Sequence, residues 1–384
     1  MSLNTAFREA EDIKRLQKVI EKRVEEIGRP LRIMEFCGGH THTIVKYGID
    51  QLLEDYVIFV HGPGCPVCVL PISRVDLAIE LARKDNVILC TYGDVLRVPG
   101  SQRKSLMDIR AEGRDVRMVY SCLDAIGIAQ ENPHKEVVFF AIGFETTTPQ
   151  TAVLIKRAKE LGLKNLSVVC NHVITPAAIQ HILNAPELRD YGKVHIDAFI
   201  GPGHVSVIIG TRPYEYFAEE FLKPVVISGF EPFDVMQSVY MIARQIKERK
   251  AFVENQYKRA VSREGNIKAQ RLVAGVFELR KEFEWRGLGK VPYSALKINS
   301  FYEDFDAEKR FEVRLPEAKE HPACICSKVI RGIARPTERF FRPSSFALFM
   351  STAVCGVVVS KPMAKKTTAL CGFSCAMPIA SRQE

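Results

Sequence analysis

Val57-Ile58-Phe59-Val60-His61-Gly62-Pro63-Gly64-Cys65-Pro66-Val67-Cys68 sets the architecture expected of the chain. The run Val57-Ile58-Phe59-Val60 has the composition and length of a buried parallel strand. Two glycines and two prolines then force a tight, irregular loop. Cys65 and Cys68 emerge from it at C-x-x-C spacing. Such a pair can close a disulfide, hold a soft metal, or separate a low-pKa thiolate from a resolving thiol. A structural zinc site needs a second ligand pair at comparable spacing, and none stands nearby. The plain alternative is two cysteines meeting by chance in a loop; the chemistry of the chain is expected here.

Upstream, Leu31-Arg32-Ile33-Met34-Glu35-Phe36 reads as a strand running directly into Cys37-Gly38-Gly39-His40-Thr41-His42-Thr43. A strand, paired glycines and a helix start make the kind of turn where α/β proteins hold ligands, because backbone amides converge there. Cys37 with His40 or His42 is a candidate metal-ligand set, or an acid/base pair beside a thiolate. A turn with capping threonines and solvent-facing histidines is the alternative.

Downstream, helical periodicity over Ile72–Ala82 precedes a strand at Val87-Ile88-Leu89-Cys90, a loop with Asp94, a strand at 116–120 and a helix around 123–129. Strands alternating with helices predict a mostly parallel sheet with right-handed crossovers. Loops at strand C-terminal ends then share one edge, which brings Cys37, Cys65, Cys68 and Asp94 together. A second series starts at Glu136–Ile142 and runs into Gly143-Phe144-Glu145-Thr146-Thr147-Thr148-Pro149. Further strands at 166–170, 198–200 and 225–227 end in polar loops, one of them Gly201-Pro202-Gly203-His204. Glu145 is a candidate base or metal ligand, or a carboxylate favoured by a helix dipole. The Gly-Thr turn carries no complete phosphate motif, which disfavours nucleotide binding.

The predicted class is α/β, with two Rossmann-like parallel-sheet domains and a smaller irregular C-terminal domain. The expected units are an N-terminal helix within 1–29, α/β domains at 30–134 and 135–250, and a C-terminal domain at 251–384. Ile13, Leu16, Val19, Ile20 and Val24 form one apolar stripe on the first helix. From Phe252 to Gly289 the chain reads as charged and helical, with Leu296–Ser300 and Phe311–Leu315 extended. Cys324 and Cys326, followed by Cys355, Cys371 and Cys375, suggest thiolate ligands for an iron–sulfur cluster. A basic tail with scattered cysteines is the alternative.

The 384 residues carry a net charge of +9, modest for this length, with no basic tract interleaved with aromatics. A docking surface for acidic partners is therefore expected, and nucleic-acid binding is not. No apolar run reaches the ~18 residues of a membrane span. The N-terminus shows no apolar signal segment, so a cytoplasmic chain with mostly reduced thiols is expected.

The strings Phe36-Cys37-Gly38-Gly39-His40-Thr41-His42, Gly62-Pro63-Gly64-Cys65-Pro66-Val67-Cys68, Gly143-Phe144-Glu145-Thr146-Thr147 and Gly201-Pro202-Gly203-His204-Val205 occur in this order. Together they resemble the HypD family of hydrogenase maturation proteins, over roughly residues 10 to 335. The resemblance implies a scaffold on which the Fe(CN)2CO unit of [NiFe] hydrogenase is assembled with a HypC-type chaperone. It implies cyanide delivery by HypE with HypF, iron held through Cys37, and redox chemistry at Cys65 and Cys68. His40, His42, Glu145 and His204 are the accompanying catalytic candidates. A [4Fe-4S] cluster in the C-terminal part is also implied. Cys324 and Cys326 are the matching thiols, while Cys355, Cys371 and Cys375 are candidates by count. Where members carry a Pro-x-x-Cys segment, Pro336-Thr337-Glu338 is followed by Arg339. From there to Glu384 the family pattern is lost, through a reading-frame slip or a divergent tail. The competing expectation is a stand-alone thiol–disulfide or iron–sulfur-linked oxidoreductase.

Overall fold

The computed structural model describes residues 10–184, 195–318, 324, 326–331 and 334. The apolar runs become strands β1 (Leu31–Glu35), β2 (Val57–His61), β3 (Val87–Thr91), β4 (Val116–Met118), β5 (Glu136–Gly143), β6 (Leu166–His172), β7 (Ala198–Pro202), β8 (Val225–Ser228) and β9 (Val253–Asn255). They form two parallel sheets, one of five strands in the order β2-β1-β7-β8-β9 and one of four in the order β4-β3-β5-β6. The α/β class with Rossmann-like sheets is thus as expected.

The chain leaves the five-stranded sheet after β2, builds the whole second sheet, and returns at β7. The expected boundary at 134/135 falls between β4 and β5, inside the four-stranded sheet. Alternating strands and helices reveal that strands lie parallel, but not which of them pair. This interleaving makes β1 a switch point, with β2 on one side and β7 on the other. Glu35 stands level with both His61 and Ile200. Loops leaving β1 and β7 therefore diverge at adjacent strand ends and open the crevice in which such sheets hold ligands.

The helices that position the site are α1 (Ala10–Ile27), α2 (Gly38–Lys46), α3 (Pro66–Val69), α4 (Ile72–Ala82), α5 (Thr148–Glu160), α6 (Thr175–Asn184), α7 (Gly203–Ile209), α8 (Pro232–Lys247), α9 (Ile267–Ala274) and α10 (Cys326–Ile330). α1 packs against α8, where Ile20 and Val24 meet Val235, Val239 and Ile242 over Leu31 and Ile33 of β1. Val19, counted in the expected stripe, faces outward. The opposite face of this sheet buries Phe36, Phe199, Tyr214 and Ile227.

The stretch expected to be helical from Phe252 to Gly289 is mostly not. It holds β9, α9, β10 (Phe277–Leu279) and β11 (Glu282–Trp285); β11 forms an antiparallel ribbon with β12 (Gly289–Pro292), and β10 one with β13 (Leu296–Ile298), which lies in the stretch expected to be extended. Phe283 and Trp285 point inward while Glu282 and Glu284 point outward, a period of two that the high charge obscures. Phe311–Leu315 joins neither sheet nor ribbon. No helix among the described residues is long and apolar enough to cross a membrane.

Candidate functional site

Cys37 follows β1 in extended conformation and caps the N-terminus of α2, its Sγ accepting the Gly39 N–H at 3.3 Å. Its own N–H donates to Glu35 Oε2 at 2.7 Å. Buried Glu35 also accepts the Thr41 hydroxyl and pairs with His61 Nδ1 at 2.7 Å. One carboxylate thus fastens the ends of β1 and β2 to the first turn of α2.

The Cys37 Sγ lies 3.2 Å from Nδ1 of His204, the second residue of α7. Burial first, and then the negative charge of Glu35, pushes the Cys37 thiol up to about 12. Burial, with a contribution from His40, pushes His204 down to about 4. At neutral pH the pair is a protonated thiol beside a neutral imidazole. A metal cation at Sγ displaces that proton, because the thiolate is the ligand form. Gly203 is required where α7 begins, since a Cβ there would run into the Ser228 carbonyl.

The C-x-x-C loop is stacked on Cys37. The Gly38 N–H donates to the Gly64 carbonyl at 3.3 Å, and a Cβ on Gly64 would lie 2.6 Å from the Cys37 nitrogen. Cys65 caps α3 and Cys68 sits within it, their sulfurs 2.7 Å apart and not joined in a disulfide. The hydrogen bond from Cys68 lowers the Cys65 pKa, while burial raises that of Cys68 well above the thiol range. Cys65 is accordingly the more acidic thiol of the pair, and Cys68 the one that keeps its proton more firmly. Cys68 is buried with Phe144 of the second sheet, Val205 of α7 and Trp285 of β11, so the thiol pair sits where both sheets and the C-terminal ribbons meet. α10, which begins at Cys326, packs against α3.

The other candidates are placed differently. His40 is buried, with Nε2 donating to the Ser228 and Gly229 carbonyls at 3.2 and 3.0 Å, and its ring is stacked 4.8 Å from that of Phe230. It ties α2 to the loop after β8. His42 is half-buried, its pKa lowered by burial and by Lys46, and no hydrogen bond joins it to Cys37. Glu145 is buried and accepts the Thr175 N–H at 2.7 Å and the Thr175 hydroxyl at 2.9 Å. Burial pushes its carboxyl up to about 7. Its carboxylate is therefore bonded to the first residue of α6, although α5 is the helix that follows it in sequence.

Among the described residues no group of three or more His, Cys, Asp or Glu side chains is placed to hold a metal ion. A cubane cluster takes four thiolates, and the described C-terminal residues contribute Cys324 and Cys326. Cys355, Cys371 and Cys375 lie outside the described residues. The described part of the chain does not by itself make up a cluster site.

Glu35 and Phe230 were not singled out in the sequence, yet both shape the site. The signal for Glu35 was a carboxylate at the end of an otherwise apolar strand, where burial demands partners. Phe230 carried no comparable mark; its ring lies under both His40 and His204.

Fold and site together define a doubly wound α/β protein in which a buried thiol and a half-buried imidazole meet at a strand switch point beneath a stacked C-x-x-C loop. The sequence model of the HypD family, described as the hydrogenase formation hypA family, matches residues 11–343. The chain is 56% identical over 332 residues to the hydrogenase maturation factor HypD2 of Bradyrhizobium diazoefficiens, covering 86% of this chain and 87% of that protein. It is 57% identical over 311 residues to the hydrogenase maturation factor HypD of Cupriavidus necator, covering 81% and 82%. Against HypD of Escherichia coli the identity is 44% over 334 residues, covering 86% and 88%. The chain belongs to the HypD family of hydrogenase maturation factors.

Proposed function

We propose that the chain is a scaffold for assembling the Fe(CN)2CO unit of [NiFe] hydrogenase, with the iron cargo held through Cys37. It would act in the cytoplasm with a HypC-type chaperone and receive cyanide from HypE with HypF. The observation that carries this is the Cys37–His204 contact at the β1/β7 switch point, with the Cys65–Cys68 loop packed on it.

The chemistry follows from the proton inventory. Iron binding requires the Cys37 proton to leave, and His204 Nδ1, 3.2 Å from the sulfur, would accept it in the tautomer that carries its proton on Nε2. Thiolate is a soft ligand that suits low-spin iron with strong-field diatomic partners. Among the described residues one thiol and one imidazole converge here, which would leave further coordination positions for cyanide, carbonyl and a group from a partner. Oxidation of Cys65 and Cys68 to a disulfide would reduce a partner disulfide by exchange, the two electrons and two protons of the pair passing to that partner's sulfurs. The lowered pKa of Cys65 beside the raised pKa of Cys68 favours Cys65 as the attacking sulfur. A [4Fe-4S] cluster, with Cys324 or Cys326 among its ligands, is part of the same reading.

Complementation tests this function. In a host lacking its own HypD, the chain is expected to restore [NiFe]-hydrogenase activity and its Cys37→Ala variant is not. Restoration by the variant would remove iron holding through Cys37. The depressed pKa of Cys65 favours one second reading, a stand-alone thiol–disulfide oxidoreductase. That reading expects reduction of a generic protein disulfide without iron or partner, whereas the scaffold reading expects none.

A further inference from the structure

His204 occupies one end of α7; at the other end, Ile208 and Ile209 form a wall of a cleft of about 340 Å3. The cleft is otherwise lined largely by apolar side chains of α9, β10 and β13, among them Val273, Phe277 and Leu296. Its size lies in the range of small-molecule sites. Its polar groups are all of one kind. Glu145 contributes a buried carboxyl whose two oxygens each accept one hydrogen bond from Thr175, leaving further acceptor capacity on both. Gln270 spends its N–H groups on the Ile208 and Glu264 carbonyls at 2.8 and 2.7 Å, so its side-chain oxygen remains as an acceptor. The Thr148 hydroxyl donates to the Phe144 carbonyl, and Glu278 is paired with Lys297 at 2.7 Å. No Lys, Arg or His lines the cleft among the described residues.

A cavity with apolar walls, spare acceptors and one buried carboxyl is complementary to a hydrophobic body bearing an N–H⁺ head. We propose that this cleft binds a small apolar organic ammonium, its body against Ile209, Val273 and Phe277 and its head on Glu145. An anionic ligand is disfavoured by the same carboxyl, and a neutral alcohol supplies one donor without charge. Burial holds the Glu145 carboxyl at about 7, so near that pH part of the population is protonated. An arriving cation favours the ionised form, and binding then releases protons. The site is separate from Cys37 and stands whether or not the chain holds iron.

Titration calorimetry of the full chain at pH 7 tests it, with 2-phenylethylamine, 2-phenylethanol and 3-phenylpropanoate as probes in two buffers of different ionisation enthalpy. The amine is expected to bind at least about tenfold more tightly than the alcohol, with a buffer-dependent heat that reports proton release, and the carboxylate not at all. Glu145→Gln should remove that preference and the buffer dependence. Val273→Phe, which narrows the cleft without touching the carboxyl, should weaken the amine and keeps the test decisive if the first variant fails to fold. Equal binding of amine and alcohol, no heat with any probe, or amine binding unchanged in either folded variant would overturn the proposal.

Discussion

Three thiols within one loop cluster hold their protons with different strength, and that difference is what chemistry at this edge depends on. Burial and Glu35 keep Cys37 protonated far above neutrality, at about 12; the bond from Cys68 holds Cys65 below its ordinary value. At pH 7.5 in the metal-free protein, iodoacetamide is therefore expected to label Cys65 at least about tenfold faster than Cys37 or Cys68. Peptide mapping over time measures the order, and labelling of Cys37 first would contradict the proton placement. Cys37, Cys65 and Cys68 were legible in the sequence because each lies in a glycine-bearing turn just after an apolar run, a pattern that puts a side chain at a strand's C-terminal end. The partner of Cys37 was less so. His40 and His42 are neighbours in sequence, but His204, 167 residues away, reaches the sulfur because β7 pairs with β1.

Elements are held in register by contacts that single substitutions can probe. At Gly64, a methyl group would meet the backbone of Cys37 at 2.6 and 2.7 Å, so two loops must part. Gly64→Ala is expected to cost about 1–3 kcal/mol, seen as a lower midpoint in urea. An unchanged midpoint would mean the stacking is slack. Glu308, in the short helix Ala307–Arg310, joins Arg74 of α4 to Arg280, which follows β10. Burial alone pushes its carboxyl up, but hydrogen bonds and charge from Arg74 and Arg280 hold it at about 2. With an unfolded value near 4.5, its contribution is complete above that pH and lost as pH falls toward 2. The difference is about 3 kcal/mol at most. Glu308→Gln should destabilise the protein at pH 6 and converge toward wild type near pH 3; a constant difference between the two pH values would refute the linkage. Strand positions were legible from apolar runs, and Ile72–Ala82 from its helical period. The ribbons around Trp285 were not, because their alternation is only three or four residues long and lies within a charged segment.

For the molecule as a whole, the decisive property is the insertion of one sheet into another. It brings the end of β5, through Phe144, against Cys68, and it leaves β1 flanked by strands from opposite ends of the α/β region. Local pattern could supply the parallel class but not this pairing, since pairing partners are fixed by packing between distant segments. The family match ends at residue 343, close to where the motif after Cys326 departs from the family pattern at Arg339. The central claim is that this interleaved edge holds iron through Cys37. Its most direct test is infrared spectroscopy of the anaerobically purified chain with a HypC-type partner, wild type beside Cys37→Ala. The account expects cyanide and carbonyl stretching bands of bound iron in the wild type and none in the variant. Persistence of both bands in a folded Cys37→Ala protein would contradict it.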